Sequence, residues 1–133
     1  MIIAVGIDSI EINRFNYWNT YQYKILLKLF SAAEIDYCLS TSSKYAERFA
    51  VRFAAKEAFF KAFSACSSKK VPFLTICKNS EVIHTQQGAP HLQVNWDVLI
   101  DTLTLKKESI IIHLSLTHDK SYATAAVILE KIL

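Results

Sequence analysis

The sequence predicts an α+β fold: a small antiparallel sheet packed with helices, including one long central helix over residues 44–63. Three observations carry that expectation. Residues 44–63 hold no glycine or proline and are rich in alanine, the best helix former. Residues 2–7, 110–116 and 122–129 are apolar runs of strand length, rich in β-branched side chains. Asp119-Lys120-Ser121 is a turn between the last two runs, so the second returns antiparallel to the first. The 133 residues suit one domain, 1–133, because two separate cores are hard to build at this length.

The elements follow in order. Residues 2–7 read as a buried strand with Asp8 at its end, and Glu11 to Phe15 turns into a short helix. Residues 21–30 place Ile25, Leu26 and Leu29 at helical spacing. Ser31-Ala32-Ala33-Glu34 is a capping box, in which a hydroxyl and a carboxylate satisfy orphan amides reciprocally, and it opens a helix through Tyr37 and Leu39. Residues 40–43 form a polar break before the long helix. Residues 75–77 and 82–84 flank the turn-like 78–81 and suggest a hairpin. Gly88-Ala89-Pro90 marks another turn, and 96–105 favours a short helix.

Composition narrows the function. With only 2 glycines, neither a dinucleotide-binding fingerprint nor a P-loop can be built. The net charge of +3 is too weak to argue nucleic acid binding without a clustered patch, but it suits phosphate groups or an acidic protein. Cys38, Cys66 and Cys77 stand apart with no CxxC, which argues against a disulfide framework or zinc site and for reduced thiols in the cytoplasm. Residues 1–7 lack the charged start of a signal peptide, and no apolar stretch is long enough to span a membrane.

The long helix carries the candidate chemistry. Ala46, Ala50, Ala54, Ala58 and Ala62 recur every fourth residue as a smooth packing row. Glu57 falls within the small and aromatic face beside it, where a carboxylate is costly unless paired or metal-bound. Two readings stand: an i,i+4 pair with Lys61, or a cation ligand with Asp8 as its companion. Asp8 also reads as an ordinary strand-end or capping aspartate. Arg48, Arg52 and Lys56 form a basic row away from the packing face, either solvated or meeting phosphate. His118 reads as a surface residue before a turn, or as a phosphate contact or proton-transfer group. His84, His91 and His113 show no ligand spacing and read as structural.

Four segments together resemble one family. Gly6-Ile7-Asp8-Ser9-Ile10-Glu11-Ile12-Asn13-Arg14 resembles its opening motif. Phe30-Ser31-Ala32-Ala33-Glu34 with Tyr37-Cys38 resembles its second. Arg52-Phe53-Ala54-Ala55-Lys56-Glu57-Ala58 with Lys61-Ala62 resembles its most specific stretch. Leu114-Ser115-Leu116-Thr117-His118 resembles its C-terminal motif, while 67–108 match only loosely. The family is the holo-[acyl-carrier-protein] synthases, the small 4′-phosphopantetheinyl transferases. The resemblance implies an α+β trimer that moves the phosphopantetheine arm of coenzyme A onto a serine of apo-acyl carrier protein, leaving adenosine 3′,5′-bisphosphate and supporting fatty acid biosynthesis. It implies Mg²⁺ on Asp8 and Glu57, Lys61 near the pyrophosphate, and Arg52 and His118 near the cofactor's phosphates. It implies Glu57 or a metal-bound water as base, coenzyme A bound between subunits, and Arg14, helped by Lys24 and Lys28, as the dock for the acidic carrier. One departure stands out. The family's helix runs into a glycine-containing turn at coenzyme A, whereas residues 63–68 here hold none. Either the chain takes another path, or the hydroxyls of Ser64, Ser67 and Ser68 serve as donors.

Two rivals come from other classes. A strand ending in Gly-Ile-Asp also opens ribonuclease-H-like nucleases, but these need further converging acids. A non-catalytic carrier-binding oligomeric module would have no use for the Asp8 and Glu57 pair.

Overall fold

The computed structural model describes residues 1–103 and 105–132. Three long strands form the main sheet: β1 (Ile2–Glu11), β4 (Ile110–His118) and β5 (Tyr122–Lys131). Their order is β1-β5-β4, antiparallel throughout. The β4–β5 turn is locked by Asp119, whose Oδ1 accepts from the amides of Ser121 and Tyr122 at 2.7 and 2.8 Å. Those two bonds hold its carboxyl below the usual range.

Side chains alternate across a strand, and the sheet shows it. Ala4, Gly6 and Ile10 of β1, with Ala123, Ala125, Val127 and Leu129 of β5, are buried toward the helix α3 (Tyr45–Cys66). Val5 and Ile7, on the other face of β1, are 59% and 61% exposed. The alanine row packs as expected at four of its five positions: Ala50, Ala54, Ala58 and Ala62 are completely buried, while Ala46 in the first turn is half-buried. Gly6 lies against it. A Cβ there would overlap the Ala58 carbonyl oxygen and lie 2.9 Å from the Ala62 nitrogen, so only glycine permits this approach.

Short elements cover the remaining faces of α3. They are α1 (Tyr23–Leu26), α2 (Ala32–Leu39), α4 (Phe73–Lys78) and α5 (Trp96–Leu99), with a small sheet of β2 (Ser80–His84) and β3 (Pro90–Val94). The capping box forms as expected: Glu34 N donates to Ser31 Oγ at 3.1 Å, and Ser31 N donates to Glu34 Oε1 at 2.9 Å. Phe15, Trp18, Phe30, Phe49 and Phe53 make a tilted and edge-on aromatic cluster between the first turns and α3.

Several expectations need correction. Residues 75–77 are helical, not a strand, because Pro72 starts α4 and its Ile76 and Cys77 are buried. The hairpin pairs β2 with β3 instead, and its loop holds Gly88 at φ +85°. The helix expected over 21–30 shortens to α1 followed by turns. β1 continues past Asp8 to Glu11, so Asp8 sits inside the strand, opposite Ala125. Residues 96–102 are helical as expected, and residue 104 lies outside the described residues.

The basic row is not a solvated face. Arg52 is 4% exposed and Lys56 fully buried. Lys56 Nζ lies 2.8 Å from Glu34 Oε1 and donates to the carbonyls of Cys77 and Ser80 at 3.0 and 2.9 Å. Val82 N donates to the other oxygen of Glu34 at 2.9 Å. One ion pair thus ties α2, α3, α4 and β2 together. The three cysteines are free, and burial pushes the Cys38 and Cys77 thiols up to about 12. Among the described residues, no helix is long and apolar enough to cross a membrane.

Candidate active site

Asp8 and Glu57 come together where β1 crosses α3. The alternation that buries Gly6 also turns Asp8, two residues on, toward the helix, and its side chain is 17% exposed. Lys61 Nζ donates to Asp8 Oδ1 at 3.0 Å and to the Ile7 carbonyl at 2.9 Å. The i,i+4 pairing of Glu57 with Lys61 gives way to this cross-element bond. Burial, and next the charge of Asp8, hold the Glu57 carboxyl above its usual range, while Lys61 and Arg14 oppose them. Glu57 is therefore flanked by one carboxylate and two cations, and it retains an affinity for a proton or a metal ion.

A ligand set of two carboxylates fits a hard cation that takes its other oxygens from substrate and water. Among the described residues, no group of three or more His, Cys, Asp or Glu side chains converges. The three converging acids expected of a nuclease are missing by the same token. Lys61 uses two of its three ammonium protons on Asp8 and Ile7, which leaves one uncommitted.

A second feature lies on another side of α3. A groove of about 320 Å³ is lined by Tyr37, Lys44, Arg48, Arg52, His84 and His118, among others. Arg52 and His118 thus line one groove, and Glu57 is not among its residues. His118 Nε2 lies 2.9 Å from Glu47 Oε1. Arg48 and Arg52 place their guanidinium carbons 4.1 and 4.4 Å from the Tyr37 ring centroid. Arg52 Nε is the only buried side-chain polar atom among the described residues without a hydrogen-bond partner. His84, read as structural from the sequence, also opens into this groove. Nothing local marks it, since its neighbours come from segments distant in the chain.

Ser64 is reached by helix rather than loop. α3 continues to Cys66, so the glycine-free segment takes the helical path. Ser64 lines a cavity of about 720 Å³ with Phe60, Lys69 and Lys70. Ser67 and Ser68 do not serve as free donors, because their hydroxyls are spent on the Lys69 and Thr102 carbonyls at 2.7 and 2.9 Å. Arg14, Lys24 and Lys28 are all exposed, and Arg14 is close enough for its charge to reach Glu57.

A carboxylate pair beside a lysine, with a separate arginine groove, is a donor set suited to phosphate-ester chemistry. The model of the 4′-phosphopantetheinyl transferase superfamily matches residues 4–127. A holo-[acyl-carrier-protein] synthase of Treponema denticola is 37% identical over 130 residues, covering 98% of this chain and 99% of that protein. The synthase of Bacillus anthracis, solved in complex with CoA (3′,5′-ADP), is 32% identical with a TM-score of 0.71, and 99% of each chain is covered. The ACPS–CoA complex of Chronobacterium ammoniagenes is 29% identical with a TM-score of 0.77, covering 100% of this chain and 99% of that one. The chain belongs to the 4′-phosphopantetheinyl transferase superfamily and, within it, to the holo-[acyl-carrier-protein] synthases.

Proposed function

We propose that this protein transfers the 4′-phosphopantetheine arm of coenzyme A to a serine hydroxyl of an apo-acyl carrier protein, releasing adenosine 3′,5′-bisphosphate. The observation that carries the reading is the Asp8–Glu57 carboxylate pair with Lys61 bonded to its Asp8 member. The serine oxygen attacks the pyrophosphate phosphorus that bears the pantetheine arm. A P–O bond forms there, and the bond to the bridging oxygen breaks. The hydroxyl proton leaves to a base at the carboxylate pair, either Glu57 or a water beside it. The remaining proton of Lys61 meets the charge growing on the leaving phosphate. Asp8 and Glu57 would hold Mg²⁺, which when bound neutralises pyrophosphate charge.

Coenzyme A as substrate is supported by the two relatives solved with it. Arg52 and His118 hold its phosphates in the arginine groove, and Ser64 contributes from the end of α3. Arg14, with Lys24 and Lys28, docks the acidic carrier. The active form is a homotrimer with its sites between subunits. Two features support it. The outer face of the main sheet leaves Val5, Ile7 and Ile111 uncovered. On a helix of 3.6 residues per turn, Arg52 and Glu57 point roughly 140° apart. One chain therefore offers its groove and its carboxylates to different sides. The protein works in the cytoplasm as one domain, and its product serves fatty acid synthesis.

The test is a mass measurement. Protein, coenzyme A, Mg²⁺ and apo-carrier yield carrier heavier by one phosphopantetheine arm, and Glu57→Gln abolishes the gain while the variant stays folded. No gain with the native protein, while a competent transferase loads the same carrier, overturns the reading.

A further inference from the structure

Lys61 and a cation have a claim on the same oxygens. Its Nζ donates to Asp8 Oδ1 at 3.0 Å and to the Ile7 carbonyl at 2.9 Å, so the ammonium sits between a carboxylate and a backbone oxygen of β1. Among the described residues it is the only cation paired with Asp8, and Glu57 forms no ion pair of its own. Glu57 and Lys61 stand one turn apart on α3, so the lysine offsets charge at two carboxylates that would otherwise repel each other. An ammonium and a hard cation cannot both lie against Asp8 Oδ1 without facing each other at close range.

The contact is of a kind that yields. The Lys61 side chain is 51% exposed, against 17% for Asp8. A pair open to water on its lysine side shifts an equilibrium by about fivefold at most. Lys61 also keeps one ammonium proton uncommitted. Release of Asp8 Oδ1 therefore frees a second proton, while the Ile7 carbonyl still tethers the lysine. A pyrophosphate carries more charge than one carboxylate and takes both protons.

We propose that Lys61 is a built-in rival of the cation for Asp8: it occupies Asp8 Oδ1 until a pyrophosphate draws its ammonium away, so that metal and pyrophosphate each favour the binding of the other. The proposal rests on the transferase reading above. The coupling is reciprocal, and its size is limited by the strength of the Lys61–Asp8 contact. Metal alone binds weakly, because it must displace the ammonium without a phosphate to receive it.

The experiment measures Mn²⁺ alone on the full-length protein as it assembles, at about 0.15 M salt, by the electron paramagnetic resonance of the free ion. Lys61→Met binds Mn²⁺ roughly fivefold more tightly than the native protein. Arg14→Gln controls for distant charge. Arg14 is exposed and its charge reaches Glu57, but it bonds to neither carboxylate, so its removal changes affinity by less than about twofold. A second readout follows Lys61 directly, by reductive methylation at fixed pH resolved peptide by peptide by mass spectrometry. Methylation of Lys61 rises with added Mg²⁺, while that of the exposed Lys24 and Lys28 stays unchanged. Asp8→Asn methylates fast at Lys61 with or without Mg²⁺. If Lys61→Met leaves Mn²⁺ affinity unchanged or weakens it, Lys61 steadies Asp8 for the cation and the proposal is overturned. A gain no larger than that of Arg14→Gln, or a Lys61 label indifferent to Mg²⁺, overturns it as well. If neither the native protein nor Lys61→Met binds Mn²⁺, the carboxylate pair is no cation site and the proposal falls with it. Carrier loading by the native protein, run in parallel, judges the transferase reading separately: where the carrier is loaded, these results overturn the rivalry alone.

Discussion

Replacing Lys56 by methionine removes one charge from a site where both partners are about 1% exposed. Glu34 keeps the amides of Ser31 and Val82 but loses its cation, and the Cys77 and Ser80 carbonyls lose their donor. Breaking a buried pair this way costs about 3–5 kcal/mol, because an uncompensated carboxylate stays behind. For 133 residues at about 2.1 cal/mol/K each, the loss lowers Tm by about 11–18 °C. Glu34→Gln/Lys56→Met removes both charges together, so the double variant loses less than the sum of the singles, by about 2 kcal/mol or more. The assay is urea unfolding at fixed protein concentration, followed by circular dichroism, for the four members of the cycle. A Lys56→Met loss under about 1 kcal/mol, or strict additivity in the double variant, would refute this account of the pair.

The remaining predictions concern the carboxylates and their supports. Gly6→Ala drives a methyl into the Ala58 and Ala62 backbone, forcing β1 from α3 and carrying Asp8 with it. It lowers stability by about 1–3 kcal/mol and slows transfer, measured by urea midpoint and carrier loading; a variant unchanged in both contradicts the packing. The raised proton affinity of Glu57 has a definite sign. It favours the metal-free fold at low pH, and that contribution is lost as pH rises through the folded value. A cation competes with the same proton, so the Tm gain on adding Mg²⁺ grows from about pH 5 to about pH 8. Thermal melts with and without Mg²⁺ read this directly, and a gain independent of pH speaks against Glu57 as a ligand.

Much of the site was legible because its signals are local. The capping box needs only Ser31 and Glu34, and it forms between those two residues. Asp8 and Glu57 stood out as a carboxylate after a β-branched run and a carboxylate on a helix face packed with alanine. Lys56 was misread because a helical wheel gives a residue's direction but not what lies there. Its row looked free, yet α2, α4 and β2 close over it. The 75–77 segment was too short for periodicity to separate strand from helix, and Pro72 decided it. His84 carries no signal at all in the sequence. Its setting is made by Tyr37, Arg48 and Arg52, and only folding assembles them.

The angular separation of Arg52 and Glu57 on one helix has a consequence for mixtures of defective chains. If each site takes its carboxylates from one subunit and its arginines from the next, two inactive proteins can repair one another. A Glu57→Gln chain still carries an intact groove, and an Arg52→Ala chain still carries an intact carboxylate pair. Co-assembled in equal amounts as the proposed homotrimer, they place a sound groove beside a sound pair at about one junction in four. Mixing the two separately assembled variants without subunit exchange restores nothing. Activity recovered only after joint refolding measures how the work of catalysis is divided between neighbours, without a structure of the assembly.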